Sequence, residues 1–365
     1  MYSAKKKISD VFMTDTRLKI SLGSLSLKNP LICGSGEHLI EEAGIIKALN
    51  SGAAAVVAKS TNESKLARQQ LDKTDYSLVS QNLTQQNWHK DKGLTSSLFG
   101  RSGLISIDSE DWLRTIARLD KQAAEYESYV VASLIPASTS SLIEYAELAQ
   151  KLGIRVLEIN IGAPHGIEAD KDIRLTFDPT KASEIICEVR NVFHGHLWAK
   201  ISGMSESVSQ LAASAKEAGA DAVVMMGRMM ALIPDLDSMK PILGTKGAYG
   251  GRWALPITCR WLSESRQILG SNYPLIGTNG ARDGYDIARM MLAGANAVEQ
   301  TSAVFTGGFE VIEENINQLE GYLQDKRMNA SDLIGITSDQ VESYAEQELR
   351  PDYWRQFVSS DALNK

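Results

Sequence analysis

The sequence predicts an α/β protein, a (β/α)8 barrel, and two observations lead to this prediction. Eight short apolar runs follow one another from residue 30 onward, each nearly continuous and rich in Val, Ile or Ala. Such runs are typical of strands that are covered on both faces. Amphipathic helical stretches separate the runs. Eight parallel strands that alternate with helices predict a closed barrel, and a doubly wound open sheet is the alternative.

The apolar runs and the helices between them follow a regular order. The runs are PLICGSG (30–36), AAVVAKS (54–60), YVVASLIP (129–136), VLEINIGAP (156–164), HLWAKISG (196–203), AVVMMGR (222–228), PLIGTNGA (274–281) and AVEQTSAV (297–304). Four helical stretches place apolar residues at i, i+3 and i+4 and then end at Gly, namely HLIEEAGIIKALNSG, SLIEYAELAQKLG, SVSQLAASAKEAGA and DGYDIARMMLAGA. Three joins, NSGAAAVV, EAGADAVV and LAGANAVE, repeat one helix–Gly–Ala–strand pattern.

Three segments fall outside this repeat. The alternating ISLGSLSL (20–27) predicts a small N-terminal hairpin that plugs the floor of the barrel. Residues 61–110 and 229–252 are long insertions after the second and sixth strands. Both would lie at the carboxyl-terminal face, where such barrels build their active sites. The resulting division is a polar N-terminal extension (1–17), one barrel domain (18–340) and a C-terminal tail (341–365).

Composition and charge narrow the class of protein. The chain has 365 residues, of which 43% are hydrophobic and 23% charged, as in an ordinary globular protein. The net charge is −7 and the only dense basic cluster is residues 5–7, so we expect no nucleic-acid or membrane surface. The N-terminus has no apolar signal segment, and no run approaches the roughly 18 residues of a membrane span. These features predict a soluble, cytoplasmic protein.

The three cysteines, Cys33, Cys187 and Cys259, are far apart and lack Cys-x-x-Cys spacing. This chain alone therefore cannot supply an iron–sulfur cluster or a structural zinc site, and we expect no metal. Reduced thiols are usual in the cytosol.

The predicted strand ends carry glycines, hydroxyls, amides and two lysines. In a barrel these ends converge on one mouth. They are Gly34, Ser35, Gly36, Lys59, Ser60, Asn160, Lys200, Thr278, Asn279, Gly280, Thr301, Ser302 and Ala303.

The two lysines follow apolar runs and should be buried. A buried ammonium group is costly unless it is paired. An ion pair with a barrel carboxylate such as Glu158 is one explanation for Lys59 and Lys200. Contact with an electron-rich ligand in the mouth is the other.

The loops GTNGARDG and QTSAVF, after the seventh and eighth strands, present small residues whose backbone N–H groups can approach an anion. Barrels often bind phosphate at this pair of loops. A phosphate there and two lysines in the mouth suit flavin mononucleotide (FMN), because a lysine can stabilise the negative charge at N1 of the reduced ring. A sugar phosphate in an aldolase or isomerase would also satisfy the loops.

The order of the motifs favours FMN. PLICGSG, VVAKSTNES, LEINIGAPHG, AKIS, GTNGARDG and QTSAVF together resemble the dihydroorotate dehydrogenase family of FMN-binding TIM barrels. They are especially similar to the flavin domain of dihydropyrimidine dehydrogenases. The likeness runs from about residue 18 to residue 340 and includes DLIGIT (332–337). Each motif alone is loose, but the set is specific.

The resemblance implies roles for the strand ends. Lys59 would lie near the edge of the flavin ring, Asn160 under it, and Lys200 at its N1 side. The other cofactor-binding candidates are Gly34, Ser35 and Gly36 beside the ring, and Asn279, Gly280, Thr301 and Ser302 at the phosphate.

One position departs from the family motif. After the fourth strand the family carries a Cys, or a Ser in its membrane-linked branch, that removes a proton while hydride passes to flavin N5. Here Ala163 stands in that place, and a methyl group cannot accept a proton. His165, His38 and Tyr249 are the candidate proton donors, although such histidines more often serve as hydrogen-bonding residues.

The substrate side of the mouth departs as well. After the sixth strand, the family holds the pyrimidine amides with Asn and Ser or Thr, whereas this chain has Gly227 and Arg228. In FGRSGL, Gly100 and Arg101 fall near another substrate turn of the family. We take Arg228 and Arg101 as substrate-binding candidates, because a guanidinium suits a carboxylate or another planar anion.

These features lead to one main hypothesis. The chain is an FMN-dependent oxidoreductase that transfers hydride between flavin N5 and a small, anionic substrate other than dihydroorotate. The alternative is a flavin-binding barrel without redox turnover, acting as a partner subunit or sensor. An aldolase or isomerase without flavin is a third hypothesis. We also expect a homodimer and consider a separate electron-transfer partner, while the sequence leaves the substrate and the direction of the reaction open.

Overall fold

The computed structural model describes residues 16–88, 95–162, 178–227 and 229–363. Fifteen strands lie within them. In chain order they are β1 (Ile20–Leu22), β2 (Leu25–Leu27), β3 (Leu31–Cys33), β4 (Ala55–Val57), β5 (Asp75–Val79), β6 (Gln85–Gln86), β7 (Ser97–Arg101), β8 (Tyr129–Leu134), β9 (Val156–Asn160), β10 (His196–Lys200), β11 (Ala222–Met225), β12 (Met229–Ala231), β13 (Gly247–Gly250), β14 (Leu275–Thr278) and β15 (Ala297–Gln300).

Eleven α-helices lie in the same described residues. They are α1 (Glu42–Asn50), α2 (Lys65–Gln69), α3 (Ser109–Ala123), α4 (Thr139–Lys151), α5 (Pro179–Val192), α6 (Val208–Glu217), α7 (Leu255–Leu269), α8 (Gly284–Leu292), α9 (Ser302–Gly307), α10 (Glu310–Lys326) and α11 (Ala330–Leu333). The four amphipathic stretches of the sequence correspond to α1, α4, α6 and α8, so their prediction as helices is confirmed. Side chains cap two of them, since Ser138 accepts from the N–H of Ser141 and Asp283 from that of Asp286.

Eight strands close into the barrel. They run in the order β3, β4, β8, β9, β10, β11, β14 and β15, with every neighbouring pair parallel and β15 paired to β3. Each strand lies within one predicted apolar run, so the (β/α)8 barrel is confirmed and the open sheet is wrong. All five residues of β10 are buried. Burial on both faces explains why the runs are nearly continuous rather than alternating.

The repeated helix–Gly–Ala joins share one geometry. After α6, Gly219 adopts φ +97° and the N–H of Ala220 reaches back to the carbonyl of Ala215 at 3.0 Å. After α8, Gly294 adopts φ +121° and Ala295 bonds to Met290 at the same distance. This is the Schellman motif, which needs a left-handed residue and therefore favours Gly. The motif ends each helix and directs the chain into the next strand.

The predicted N-terminal hairpin is present at the floor of the barrel. Strands β1 and β2 pair antiparallel, and Leu22 and Leu27 are fully buried. The turn residue Gly23 lies against His196 and Pro274, at the amino-terminal ends of β10 and β14. The hairpin therefore closes the end of the barrel opposite the mouth.

The two long insertions form a second sheet that the sequence analysis did not predict. Strands β12, β13, β7, β5 and β6 pair antiparallel in that order, so that the insertion after β11 joins the one after β4. Val79, Phe99, Ile233 and Ile242 form a small apolar core between them. Both insertions follow the carboxyl ends of barrel strands, and the sheet consequently lies at the mouth.

The last part of the chain extends away from the barrel. The guanidinium of Arg266 on α7 binds both oxygens of Asp339 at 3.0 Å, which fixes the turn Ser338–Gln340. Residues 341–362 beyond it are exposed. Within the described residues, every helix is too short or too polar to cross a membrane.

Candidate active site

A pocket opens at the carboxyl-terminal mouth of the barrel. Together with the solvent at its opening it measures about 1120 Å³. Its walls contain nine of the ten cofactor-binding candidates, namely Ser35, Gly36, Lys59, Asn160, Lys200, Asn279, Gly280, Thr301 and Ser302. The tenth, Gly34, lies behind the wall, where a Cβ atom would collide with the side chains of Thr301 and Glu299. The structure thus brings the predicted strand-end residues together in one cavity.

Lys59, just after β4, is paired within the pocket. Its Nζ lies 3.0 Å from Oε1 of Glu37, and the hydroxyl of Tyr76 donates to Oε2 of the same carboxylate at 2.5 Å. The indole N–H of Trp112 donates to the Lys59 carbonyl at 2.8 Å and holds the backbone in place. Glu37 and Tyr76 also line the pocket, and the sequence analysis missed both. Glu37 directly follows the predicted GSG turn, whereas Tyr76 lies in an insertion strand that carried no clear signal.

Lys200, the last residue of β10, meets two carboxylates. It pairs with Glu299 on β15, and its Nζ lies 3.7 Å from Oε2 of Glu158 on β9. It also lines the pocket. The ion pair is therefore present for Lys200, and the same residue faces the cavity, where contact with a ligand stays a prediction.

Glu158 continues into a series of buried hydroxyls. The Ser133 hydroxyl donates to its Oε1 at 2.9 Å, Ser133 lies 2.9 Å from Ser60, and Ser60 lies 3.3 Å from Ser35. We call Ser35, Ser60 and Ser133 the serine chain. Burial raises the pKa of Glu158 to about 7, although the Lys200 ammonium opposes the shift, and the negative charge of Glu299 adds to it.

The loops after β14 and β15 are shaped for close approach by a ligand. Gly280 adopts φ +126°, and a Cβ there would lie 2.5 Å from the backbone nitrogen of Leu255. Only Gly fits this position without moving the loop. Helix α9 begins at Ser302, directly after Thr301. This geometry agrees with the predicted phosphate loops.

A buried arginine lies beside these loops. Arg282 is 2% exposed, and its guanidinium donates to the Thr306 hydroxyl at 3.3 Å and to the Ser96 carbonyl at 2.5 Å. Burial lowers the pKa of Arg282 to about 10, opposed by Asp286, so it remains a cation at neutral pH. Arg282 belongs to the predicted loop GTNGARDG, but no local pattern in the sequence marks it out from its neighbours. Its charge supports an anion at the loops.

The residues present fit FMN. Two buried amide donors in the pocket wall, Asn279 Nδ2 and Gln300 Nε2, have no hydrogen-bond partner among the described residues. Buried donors are rarely left unsatisfied in native proteins, so these two indicate a ligand with acceptor atoms. Cationic side chains and a glycine-shaped loop stand in the same walls. These are the requirements of a flavin ring with a phosphate tail.

The candidate proton donors are placed less favourably. The ring of His38 packs against Phe305 and Phe309 with its Nε2 3.6 Å from the Cys33 sulfur, outside the pocket wall. Burial lowers the pKa of His38 to about 4, which keeps it neutral. The ring of Tyr249 on β13 stacks on that of Trp253, with 5.0 Å between the ring centroids. Its neighbours Ala248 and Gly250 line the pocket, whereas Tyr249 does not. His165 and Ala163 lie outside the described residues.

The structure does not bring Arg101 to the pocket wall. Its guanidinium donates to the carbonyl of Lys73 at 2.7 Å and to that of Leu243 at 2.6 Å, so it ties the two insertions together. Gly100 and Gly227 do line the pocket. The second candidate, Arg228, lies outside the described residues. The geometry gives Arg101 a structural task, and its predicted contact with substrate has no support here.

Comparison with known proteins gives consistent results. The family model for dihydroorotate dehydrogenase matches residues 95–323. The catalytic subunit of dihydroorotate dehydrogenase B (NAD(+)) from Pyrococcus abyssi is 24% identical over 323 residues, which cover 87% of this chain and 98% of that protein. The subunit of the same name from Methanocella arvoryzae is 26% identical over 328 residues, with 88% and 97% covered. The crystal structure of DHODH from Eimeria tenella in complex with ferulenol superposes with a TM-score of 0.70 at 17% identity, covering 91% of each chain, and supports the fold.

Proposed function

This chain belongs to the dihydroorotate dehydrogenase family, and from that premise we propose its substrate class and the tasks of its residues. The protein is an FMN-dependent oxidoreductase that acts on CH–CH bonds. We infer that its substrate is a small, anionic molecule other than dihydroorotate. We also place it nearest the dihydropyrimidine branch of the family, on the strength of the Pro-His that follows Ala163.

One observation supports the cofactor assignment best. The unpartnered donors of Asn279 and Gln300 lie in the same walls as Lys59 and Lys200. When bound, FMN supplies a hydride acceptor or donor at N5. Lys200 would hold negative charge at the N1 side of the ring, and Arg282 would support the phosphate from behind the loops. The lysines are held in position by carboxylates before any ligand arrives, which lowers the cost of organising the site.

The substrate assignment rests on residues that differ from the family motif. Ala163 stands where the family carries its proton acceptor, and Gly227 stands where the family holds the pyrimidine amides. Without those partners, the amides of a pyrimidine ring would be desolvated and left unpaired, which typically costs about 1–3 kcal/mol each. Arg228 supports an anionic substrate, because Lys59 and Lys200 are already paired with carboxylates.

We assign proton transfer to Tyr76 and Glu37 in place of the missing Cys or Ser. Tyr76 lines the pocket and donates to Glu37 at 2.5 Å. In the oxidising direction, the Tyr76 oxygen takes the proton of the substrate C–H bond while its own proton passes to the Glu37 carboxylate. In the reducing direction the two transfers reverse. The Lys59 ammonium group lies 3.0 Å from Oε1 of Glu37 and fixes the position of that carboxylate.

Oxidation of dihydroorotate itself is the second candidate function. The names of the relatives favour it, since each is a catalytic subunit of dihydroorotate dehydrogenase B. Those names also support a separate partner protein that exchanges electrons with the flavin.

We propose a homodimer in addition, with the exposed aromatic residues of the C-terminal tail, Tyr344, Trp354 and Phe357, as its contact surface. Light scattering of the full chain and of a chain ending at residue 340 tests this surface.

The test of the proposed function uses the purified protein and the variant Ala163→Cys. We expect FMN to copurify in a one-to-one ratio, and dihydroorotate to reduce it negligibly. Restoring the base in Ala163→Cys should not recover efficient reduction, because the pyrimidine amides still lack partners. Efficient reduction by Ala163→Cys would show that the pocket still accepts dihydroorotate, which contradicts the proposal. A protein that binds no added FMN would contradict the cofactor as well.

A further inference from the structure

We propose that the buried side chains Glu158 and Glu299 form a proton-accepting site that takes up one proton whenever FMN in this pocket is reduced. We call them the carboxylate pair. The proposal rests on the proposed function, since it needs FMN in the pocket. Its consequence is that residues of the chain, and not the flavin alone, determine how the midpoint potential depends on pH.

The geometry of the carboxylate pair leaves it short of partners. Glu158 and Glu299 are 0% and 1% exposed, and both share the single ammonium group of Lys200. Oε2 of Glu299 accepts no hydrogen bond from the described residues, and Oε2 of Glu158 meets the Lys200 ammonium group only at the longer distance of 3.7 Å. A buried acceptor without a partner is costly, and a buried charge is more so. A proton on one of these oxygens removes the uncompensated negative charge and leaves Lys200 paired with the other carboxylate.

The charge of the cluster leads to the same conclusion. Two ionised carboxylates and one ammonium group leave one negative charge in the floor of the pocket. Burial raises the pKa of Glu158 to about 7, with Lys200 opposing this shift and Glu299 adding to it. Negative charge arriving on the flavin ring raises the pKa of Glu158 further, because like charges disfavour ionisation. Reduction of the cofactor therefore draws a proton to the carboxylate pair.

The neighbouring elements supply few other groups that titrate. On β3, the Cys33 thiol faces Glu299, and burial and that charge both raise the pKa of the thiol, so it stays neutral. On β8, Ser133 contributes a hydroxyl, and on β10, Lys200 contributes the ammonium group. On β14, the Thr278 hydroxyl donates to the Glu299 carbonyl at 3.1 Å. Across the pocket, the pairing of Lys59 with Glu37 balances those two charges.

The serine chain provides a path for the proton. It begins at Ser35 and Ser60 in the pocket wall and ends at Ser133, which donates to Glu158. A hydroxyl both donates and accepts, so a concerted rotation can pass a proton along the series. Solvent in the pocket can thus protonate a carboxylate that is itself fully buried.

Electrons and protons balance in this step. A hydride from the substrate carries two electrons and one proton, and its arrival adds one negative charge at the ring. One further proton moves from solvent along the serine chain to the carboxylate pair and cancels that charge. The total is two electrons and two protons, with no oxidant or reductant besides the substrate and the cofactor.

The test is the number of protons taken up per two electrons by the holoprotein, read from the slope of the FMN midpoint potential against pH. Just above neutral pH we expect two protons for the unmodified protein and one for Glu299→Gln and Glu158→Gln, which keep the size of each side chain. Losing a negative charge near the ring should also raise the midpoint potential there. We expect at least a tenfold change in the ratio of reduced to oxidised protein, or about 30 mV for a two-electron couple.

Asp120→Asn is the matched control. Asp120 is a buried carboxylate that pairs with Arg155 at 2.6 Å and accepts a hydrogen bond from the N–H of Val130. Val130 is near the amino-terminal end of β8, so this carboxylate lies far from the mouth of the barrel. Its replacement should leave both the slope and the midpoint potential unchanged. A shift in this control as large as that of Glu299→Gln would show a general effect of buried charge and overturn the proposal.

Infrared difference spectra of the unmodified holoprotein give a second measurement that does not depend on the folding of a variant. Reduction should produce the C=O stretch of a newly protonated carboxyl group. Uptake of a single proton, a missing carboxyl band, or two protons retained in both Glu variants would each overturn the proposal. In all three cases FMN remains bound and the proposed function stands. A protein that binds no FMN would overturn both.

Discussion

Each buried lysine of the mouth is paired with at least one carboxylate from another segment of the chain. Lys59 meets Glu37, and Lys200 meets Glu158 and Glu299. These pairings offset the cost of burying an ammonium group and fix its position before a ligand binds. They also mean that a ligand meets no free positive charge at these two lysines, because three carboxylates surround the two ammonium groups.

Tyr76 is the residue whose replacement tests proton transfer most directly. Tyr76→Phe keeps the ring that packs against Phe305 at 4.9 Å but removes the hydroxyl. We expect FMN to remain bound and turnover to fall by roughly 10²–10⁴-fold, the usual contribution of general acid–base catalysis. Tyr249→Phe is the matched control, because its ring stacks on Trp253 outside the pocket wall, and it should keep most of the activity. Equal losses in both variants would contradict the role of Tyr76.

His38 should make the protein less stable in acid. Burial lowers the pKa of His38 from 6.5 to about 4, so the unfolded chain binds a proton that the folded chain does not. The free energy of unfolding should therefore be fully maintained above pH 6.5 and fall between pH 6.5 and 4, by about 3 kcal/mol for this group. Urea unfolding of His38→Gln should lack this part of the pH dependence. An unchanged profile in the variant would show that another group is responsible.

Some residues of the site could be predicted from the sequence and others could not. Lys59, Lys200 and Asn160 follow apolar runs, and a polar side chain at the end of a buried strand is a strong local signal. Tyr76 is not recognisable in this way, because its importance depends on contact with Glu37 from a distant turn. Interactions between remote segments leave no periodic pattern in either segment.

The barrel strands carry the proposed cofactor residues, and the two insertions complete the wall of the pocket. The end of β4 brings Lys59 and Ser60 to the mouth, and the ends of β9 and β10 bring Asn160 and Lys200. The second sheet crosses that mouth and contributes Tyr76 from β5 and Gly100 from β7. This division suits a barrel in which loops, rather than strands, change with the substrate.

Gly280 tests whether the loop after β14 holds the phosphate. In Gly280→Ala, the new Cβ would collide with Leu255, and the loop must move. We expect the affinity for FMN, measured by quenching of flavin fluorescence, to fall roughly tenfold or more, since about 1.4 kcal/mol corresponds to tenfold. Gly270→Ala is the control, because Gly270 has φ +88° but no atom within 4 Å of the added carbon. It should cost some stability and leave the affinity unchanged, and a similar loss of affinity in both would contradict the assignment.

The barrel strands were predictable for a physical reason that does not extend to the second sheet. Strands buried on both faces must be apolar throughout, so their runs stand out in the sequence. Strand β13 is only partly buried and reads GAYG, with two glycines that weaken any strand signal. Its partner strand, β7, lies more than a hundred residues away in the sequence. The sequence therefore predicted the insertions but not the sheet that they form.

The two sides of the mouth differ in how closely their residues match the motifs of the family. We propose that the cofactor side keeps Asn160, Lys200 and Gly280 in the positions of the family motifs. On the substrate side, we propose that Ala163, Gly227 and Arg228 stand where the family has a base and two polar groups for a pyrimidine. A barrel whose fold is independent of its loops can change one side without losing the other. We propose that this chain kept the flavin chemistry of the family and changed the substrate.

Anaerobic reduction of the FMN-loaded protein by dihydroorotate tests directly whether the substrate has changed. The loss of flavin absorbance is followed after mixing with excess dihydroorotate, and a chemical reductant on the same sample shows that the flavin is competent. We predict that the chemical reductant bleaches the flavin completely while dihydroorotate reduces it at a negligible rate. Rapid and complete reduction by dihydroorotate would contradict this proposal, and would show that Tyr76 or another group serves the family's own reaction.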